Sequence, residues 1–291
     1  MAISESQLQT WSNQGATVSA QQTHTSIRNA LSNYQWISGV RYDAYLQGSY
    51  RNSTNVRGDS DVDLVVELTS VFYSNLTEAE KTQLGMTLAS YSWYEFRKDV
   101  IAALSNYYGS QYVDTSGSKS IKLLPSGVRL KADVVVAVTY KHYENMSLVA
   151  EGMTFWTVSE GQQICNFPKL HYKNGARKNS EQQTSGWYKP TVRVFKNARS
   201  RIATSLLFPK QFPSYFIECL LYNVPTSKFD VSFQSVFANS LSWLNNELNN
   251  GNWQRFVCQN EMNYLFGNST FQWNINDARD YVAKLIDIWN Y

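Results

Sequence analysis

The residues best suited to chemistry stand in the run Gly58-Asp59-Ser60-Asp61-Val62-Asp63-Leu64-Val65-Val66. Side chains alternate along a strand, so Asp61 and Asp63 face one way while Val62, Leu64 and Val66 face a core. Two like charges on one face repel and call for a cation. Carboxylates are hard oxygen donors suited to Mg²⁺ or Mn²⁺, and ions held this way can also grip a triphosphate. A second segment, Val128-Arg129-Leu130-Lys131-Ala132-Asp133-Val134-Val135-Val136, repeats the alternation and turns Asp133 outward with Arg129 and Lys131. Laid beside the first, it completes a three-carboxylate cluster able to hold two metals about 3.5–4 Å apart, one at an attacking hydroxyl and one at a leaving pyrophosphate. Gly48-Ser49 reads as a small turn where main-chain N–H groups and a hydroxyl can approach phosphate closely. Asp-x-Asp alone on an amphipathic strand is ordinarily a solvated face. Gly-Ser, then 11 residues, then Asp-x-Asp, with a later Asp in an apolar strand, is far more specific. Asp59 shares the alternation and is read as a loop or supporting residue.

These groups need a sheet with helices on a face. The pattern predicts strands over 39–46, 60–68 and 128–140, with a helical stretch over 77–108 between the second and third. Apolar residues among polar ones from Glu5 to Tyr34 predict one or two amphipathic helices as a backing layer. From Thr139 through Gly186 no period is clear, and the region reads as a hinge or functional loop. From Lys189 to Tyr291 the pattern is mainly helical, with Val192, Phe195, Arg199 and Ile202 on one face. The expected fold class is α+β: a catalytic lobe with N-terminal helices over 1–165 and a helical lobe over 166–291.

Composition sets the bounds. The 291 residues are 43% hydrophobic and 14% aromatic, with 6 Pro and 14 Gly, which describes a compact globule and excludes a disordered segment or a small stapled scaffold. No leader pattern or bilayer-length apolar run is present, so a soluble cytoplasmic protein with no membrane partner is expected. Cys165, Cys219 and Cys258 lack metal or disulfide spacing and read as small buried side chains. The net charge of +3 conceals an asymmetry: residues 169–201 carry nine basic side chains against Glu181 alone, +8, leaving −5 elsewhere. A basic lip beside a carboxylate site steers polyanionic nucleotides. Binding of double-stranded nucleic acid is the competing reading of that segment.

On Gln47-Gly48-Ser49-Tyr50, Gly58-Asp59-Ser60-Asp61-Val62-Asp63 and Lys131-Ala132-Asp133-Val134-Val135, the sequence resembles the nucleotidyltransferases related to animal cyclic GMP-AMP synthase and oligoadenylate synthase. Over most of the chain it looks most like the bacterial CD-NTases of antiphage CBASS systems. Phe167-Pro168-Lys169, His171-Tyr172 and Lys189-Pro190-Thr191-Val192-Arg193 are most similar to the E clade. The resemblance implies a Pol-β-like nucleotidyltransferase fold, a mixed sheet lobe plus a helical lobe with the active site in the cleft between them. It implies Asp61, Asp63 and Asp133 as catalytic metal ligands, Gln47, Gly48 and Ser49 at the donor phosphates, Lys196 on the triphosphate, and Ser214-Tyr215 as a phosphate contact and a ring stacked on a base. Packing in the core is the plain alternative for Tyr215, and a solvated helix position that for Lys196. The Asn166 amide can match the edge of uracil or adenine, and in the E clade Asn here goes with a pyrimidine nucleotide; an Asx-type turn is the alternative.

The activity implied is a Mg²⁺- or Mn²⁺-dependent synthase of a cyclic oligonucleotide, with a uridine-containing product such as cyclic UMP-AMP preferred. It would take ATP and UTP and reach a downstream effector through its product in antiphage defence. With no Cys/His zinc insertion, no obligatory nucleic-acid ligand is expected; a monomer is. A catalytically silent nucleotide or RNA sensor of the same fold and a linear oligonucleotide synthase remain the competing readings. Three mutually repelling aspartates weigh against the silent one.

Overall fold

The computed structural model describes residues 3–57, 61–127, 129–205 and 212–290. Asp59 and Val128 lie outside them. The chain divides into two compact units, one of residues 16–50 and 60–168, the other of 1–15, 51–59 and 169–291.

The first unit is a seven-stranded mixed sheet. Its strands are β1 (Tyr42–Leu46), β2 (Val62–Ser74), β3 (Val113–Asp114), β4 (Ile121–Leu123), β5 (Ala132–Glu144), β6 (Ser147–Trp156) and β7 (Gln163–Asn166). Their order is β1-β2-β5-β4-β3, with β6 added to β5 and β7 to β6. β2 and β5 are parallel, which requires the intervening crossover. That crossover contains two helices, one over Glu78–Gln83 and a longer one over Trp93–Tyr108. Each starts with a reciprocal capping box, Thr77 with Glu80 and Ser92 with Glu95, which satisfies two otherwise orphaned donors. Leu64, Val66 and Leu68 from β2 and Val134, Val136 and Val138 from β5 pack with Phe96, Val100 and Leu104 of the longer crossover helix and with Ile27 and Leu31 of the helix Val18–Ser32. Val65, Val135 and Ala137 face the other way, onto Met153 and Phe155 of β6.

Chain order assigns α1 to Glu5–Ser12, α2 to Val18–Ser32, α3 to Gly48–Asn52, α4 and α5 to the two crossover helices, α6 to Pro168–Lys178, α7 to Glu181–Thr184, α8 to Tyr188–Ser205, α9 to Ser214–Tyr222, α10 to Phe233–Asn249 and α11 to Ile275–Asn290. The second unit is helical and centres on α8. Val192, Phe195, Ala198 and Ile202 are buried there, and the Phe195 ring lies 4.7 Å from that of Phe237 on α10. No helix among the described residues is long and apolar enough to cross a membrane.

Three expectations need correction. Of the two N-terminal helices only α2 backs the sheet, because α1 packs its buried Leu8 into the helical core and Glu5 accepts from the first N–H groups of α10, Phe233 and Gln234, at 3.0 and 2.8 Å. The stretch expected to be irregular is a hairpin strand, β6, then β7 and α6. Its two-residue turn, Asn145-Met146, has φ of 47° and 61°, a left-handed pair that lets the strands keep their twist but usually carries Gly at its second position. The buried face of α6 is His171, Asn174 and Gly175, so hydrophobic periodicity is silent there. The strands also start later than the pattern suggests, at Val62 and Ala132, which leaves Asp61 just outside β2.

Leu8→Ala should therefore destabilise the helical unit by about 2–5 kcal/mol, as for other fully buried leucines. Urea unfolding followed by tryptophan fluorescence checks this; a change below about 0.5 kcal/mol would mean that α1 is not docked.

Candidate active site

Parallel pairing of β2 with β5 sets Val62 against Ala132 and Asp63 against Asp133. Neighbouring strands lie roughly 4.8 Å apart and paired residues share a face, so two carboxylates stand side by side. Asp133 Oδ1 accepts a long bond from Ser120 Oγ at 3.4 Å. Asp61 accepts from Lys131 Nζ at 2.6 Å, and that hydrogen bond and charge raise the lysine pKa. The main chain anchors the same corner, with Val62 N donating to Lys131 O at 2.9 Å. The structure thus joins Asp63 to Asp133 and holds Asp61 against Lys131. Among the described residues, no three acidic, His or Cys side chains are gathered closely enough to hold an ion. The donor set still suits a divalent hard cation: adjacent carboxylates, Asp63 and Asp133, with Asp61 two positions before Asp63 at the start of β2.

Gly48 closes this corner. Gln47 N donates to Asp63 O at 2.9 Å, and the chain then turns at Gly48 with φ of 63° into the short helix α3. A Cβ on Gly48 would stand 2.4 Å from Asp63 Oδ2. Both the left-handed backbone and the close carboxylate require glycine. Ser49 follows, half-buried, in the first turn of α3. Asn166 ends β7, paired with Met153, with its side chain exposed. A Cβ on Gly152 would meet Asn166 O at 2.4 Å and the Phe167 ring at 2.7 Å, so that glycine admits the backbone carrying Asn166.

The helical unit presents a different picture from the one its sequence suggests. Lys196 is fully buried, its Nζ donating to Thr54 O at 2.9 Å. At its side lies a residue that sequence reasoning missed, Glu218, in the apolar run of α9. Its carboxylate accepts from Thr54 Oγ1 at 2.6 Å and Asn52 Nδ2 at 3.0 Å, and His171 Nε2 lies 2.9 Å away. Burial alone would raise the Glu218 pKa. The His171 hydrogen bond and charge, the Thr54 hydroxyl and the Lys196 ammonium outweigh that and hold it below the ordinary carboxylate value. Tyr215 stacks on the His171 ring at 5.1 Å and 24°. The residue is 42% exposed, while burial of its hydroxyl end, beside the Cys219 and Cys258 thiols, pushes its ionisation far above the usual tyrosine range. Ser214 Oγ lies 3.4 Å from Arg199 Nη1, which also donates to Phe212 O at 2.8 Å. Cys219 and Cys258 are buried free thiols and Cys165 is a half-buried one.

Comparison with known proteins decides the family. Residues 173–290 match the model of the cGAS/DncV-like nucleotidyltransferase C-terminal helical domain. The chain is 46% identical to the cyclic UMP-AMP synthase of Rhodothermus marinus over 99% of this chain and 98% of that protein. It belongs to the cGAS/DncV-like nucleotidyltransferases. The solved structure of the Rhodothermus marinus CdnE cyclic UMP-AMP synthase with Apcpp and Upnpp superimposes with a TM-score of 0.91, covering 99% of this chain and 97% of that one. The cyclic nucleotide synthase CdnE01 of Staphylococcus haemolyticus is 37% identical over 100% of this chain and 99% of the relative. The fold is accordingly the nucleotidyltransferase fold of this family, a mixed sheet followed by a helical C-terminal domain, and the protein is an enzyme of that class.

Two outcomes follow from the geometry. Gly48→Ala should lower turnover on the order of a hundredfold, the scale of an ångström-sized displacement at a reacting centre; initial rates measured with thermal melting separate this from unfolding. Glu218 has a lowered folded pKa, so its stabilisation is complete above the unfolded value of 4.5 and is lost as pH falls through the lower folded value. Glu218→Gln should therefore lower the melting temperature at neutral pH and flatten its decline in acid. An unchanged acid limb would show that Glu218 is not the group titrating.

Proposed function

We propose that the protein condenses ATP and UTP into cyclic UMP-AMP, with Mg²⁺ or Mn²⁺ as cofactor, in antiphage signalling. The observation that carries the reading is the register that pairs Asp63 with Asp133 beside Gly48. Full-length similarity to a cyclic UMP-AMP synthase supports the choice of product. In each of two rounds, a ribose hydroxyl oxygen attacks the α-phosphorus of a nucleoside triphosphate. A new phosphodiester P–O bond forms, the bond to pyrophosphate breaks, and the hydroxyl proton is lost. Repetition within the linear intermediate closes the ring and releases a second pyrophosphate.

The chain's own groups have distinct parts in this reading. Asp133 accepts the hydroxyl proton, with Ser120 fixing its carboxylate. Gln47, Gly48 and Ser49 form the turn that receives the donor phosphates, and Gly48 keeps their path clear of Asp63. A divalent ion on Asp63, Asp133 and Asp61 would neutralise triphosphate charge and lower the pKa of the attacking hydroxyl. Tyr215, partly exposed and stacked on His171, offers a stacking surface for a base, a contact of about 1–3 kcal/mol that tolerates different bases. Asn166 supplies the directional hydrogen bonds that choose uracil. Ser214 meets phosphate beside Arg199. Lys196, buried on Thr54, acts on the triphosphate at second hand by fixing the main chain that follows α3.

Incubation with all four labelled NTPs and Mg²⁺ or Mn²⁺ should give a phosphatase-resistant product whose mass is that of cyclic UMP-AMP. Asp133→Asn should slow its formation about 10²–10⁴-fold. A product wholly sensitive to phosphatase would replace this reading with linear synthesis. Asn166→Ser should reduce the preference for UTP over purine nucleotides about tenfold, the scale of one lost hydrogen bond to a buried partner. Unchanged UTP use would remove Asn166 from base choice.

A further inference from the structure

Around Glu218 the helical unit gathers four cations, Arg51, Lys189, Arg193 and Lys196. Arg193 donates to Ser12 O and Ser53 O, both at 2.5 Å, and Lys196 to Thr54 O. These two are fixed on main-chain carbonyls. Arg51 and Lys189 are arranged differently. Both lie over the ring of Tyr172, the Arg51 guanidinium carbon 4.1 Å and Lys189 Nζ 5.4 Å from its centroid. Neither forms an ion pair among the described residues. Lys189 is partly buried. Its pKa is lowered by that burial and by Arg193 and Arg51, against the opposing pull of Glu218.

Glu218 is the acid that could neutralise the pair, but its oxygens are engaged by Thr54, Asn52 and His171. Two like charges are thus held over one ring, with no acid within ion-pair distance of either among the described residues. An arginine guanidinium can form the forked pair of bonds that phosphate accepts, and a lysine ammonium adds a point charge beside it. Arg51 is exposed at the surface and stands on α3, the helix that opens with Gly48 and Ser49.

We propose that Arg51 and Lys189, both held over the Tyr172 ring, form a polyphosphate-binding subsite of the helical unit. Resting on the synthase reading, its natural occupant is the triphosphate of a substrate nucleotide; the chemistry it recognises, a chain of phosphates, is shared with free inorganic polyphosphate. The two cations neutralise part of the triphosphate charge while the base is held elsewhere, so the subsite does not distinguish ATP from UTP.

The test is calorimetric titration of the full chain, without divalent ion and at fixed ionic strength, with inorganic tripolyphosphate, and separately with ATP, UTP and adenosine. Arg51→Gln and Lys189→Gln should each weaken tripolyphosphate about tenfold or more, the scale of a lost charged hydrogen bond. Both should weaken ATP and UTP equally and leave adenosine unchanged, with melting temperatures within a few degrees of the parent. Arg51→Lys should retain most of the affinity. Unchanged tripolyphosphate affinity in both Gln variants overturns the proposal, as does lower melting temperature without loss of affinity, which would make the stack a structural clamp. Failure of ATP and UTP to displace tripolyphosphate would overturn the assignment to a substrate. Asp63→Asn should bind tripolyphosphate like the parent. If the parent makes no cyclic product yet the Gln variants lose tripolyphosphate, the synthase reading fails and the subsite stands.

Discussion

The parallel register between β2 and β5 is the constraint on which the catalytic corner depends. Pairing Asp63 with Asp133 fixes which residues share a face for the whole length of both strands. A slip of one residue would turn Leu64 or Val134 outward and bury a carboxylate among valines, at a cost of several kcal/mol. The apolar alternation that builds the core and the acidic alternation that builds the site are therefore one pattern seen from opposite faces. The repulsion between the two carboxylates is tolerated because Val62, Leu64, Val66, Val134 and Val136 leave no other register available.

A second dependence runs through Glu218. One buried carboxylate receives hydrogen bonds from Asn52 and Thr54 and faces the imidazole that supports Tyr215. A buried charge is expensive unless paired and hydrogen-bonded. Here each oxygen has a partner, so the segment after α3 and the platform under Tyr215 are held by the same group. Removing it would leave His171, whose buried Nδ1 has no hydrogen-bond partner among the described residues, without the bond at Nε2 as well.

Much of this architecture could be read from sequence wherever one physical signal dominated. Asp61, Asp63 and Asp133 stood out because charged residues alternating with β-branched ones have few explanations, and Gly48 because of its spacing to them. The hairpin at Asn145-Met146 was illegible because its left-handed turn lacks the usual glycine. α6 was hidden because its buried face is polar. Glu218 was overlooked because Phe216-Ile217-Glu218-Cys219-Leu220-Leu221 reads as apolar packing. Its partners lie 164 and 166 residues away in the chain, beyond any local pattern. Lys196 shows the reverse limit: the sequence singled out a helix position, but carries no sign that its ammonium is fully buried on Thr54.

The helical unit is assembled from three separate stretches, 1–15, 51–59 and 169–291. During synthesis the first two emerge long before the third. The sheet unit, complete by residue 168, can fold while α1 and the Asn52–Thr54 strap wait for partners not yet made. Contacts of such long sequence separation are slow to form, so the late arrival of α8 to α11 sets the moment at which the chain becomes an enzyme. For the same reason a fragment cut to residues 173–290 is not a natural folding unit. It would lack Ile3 and Leu8 from its core and leave Glu218 buried without Thr54 and Asn52.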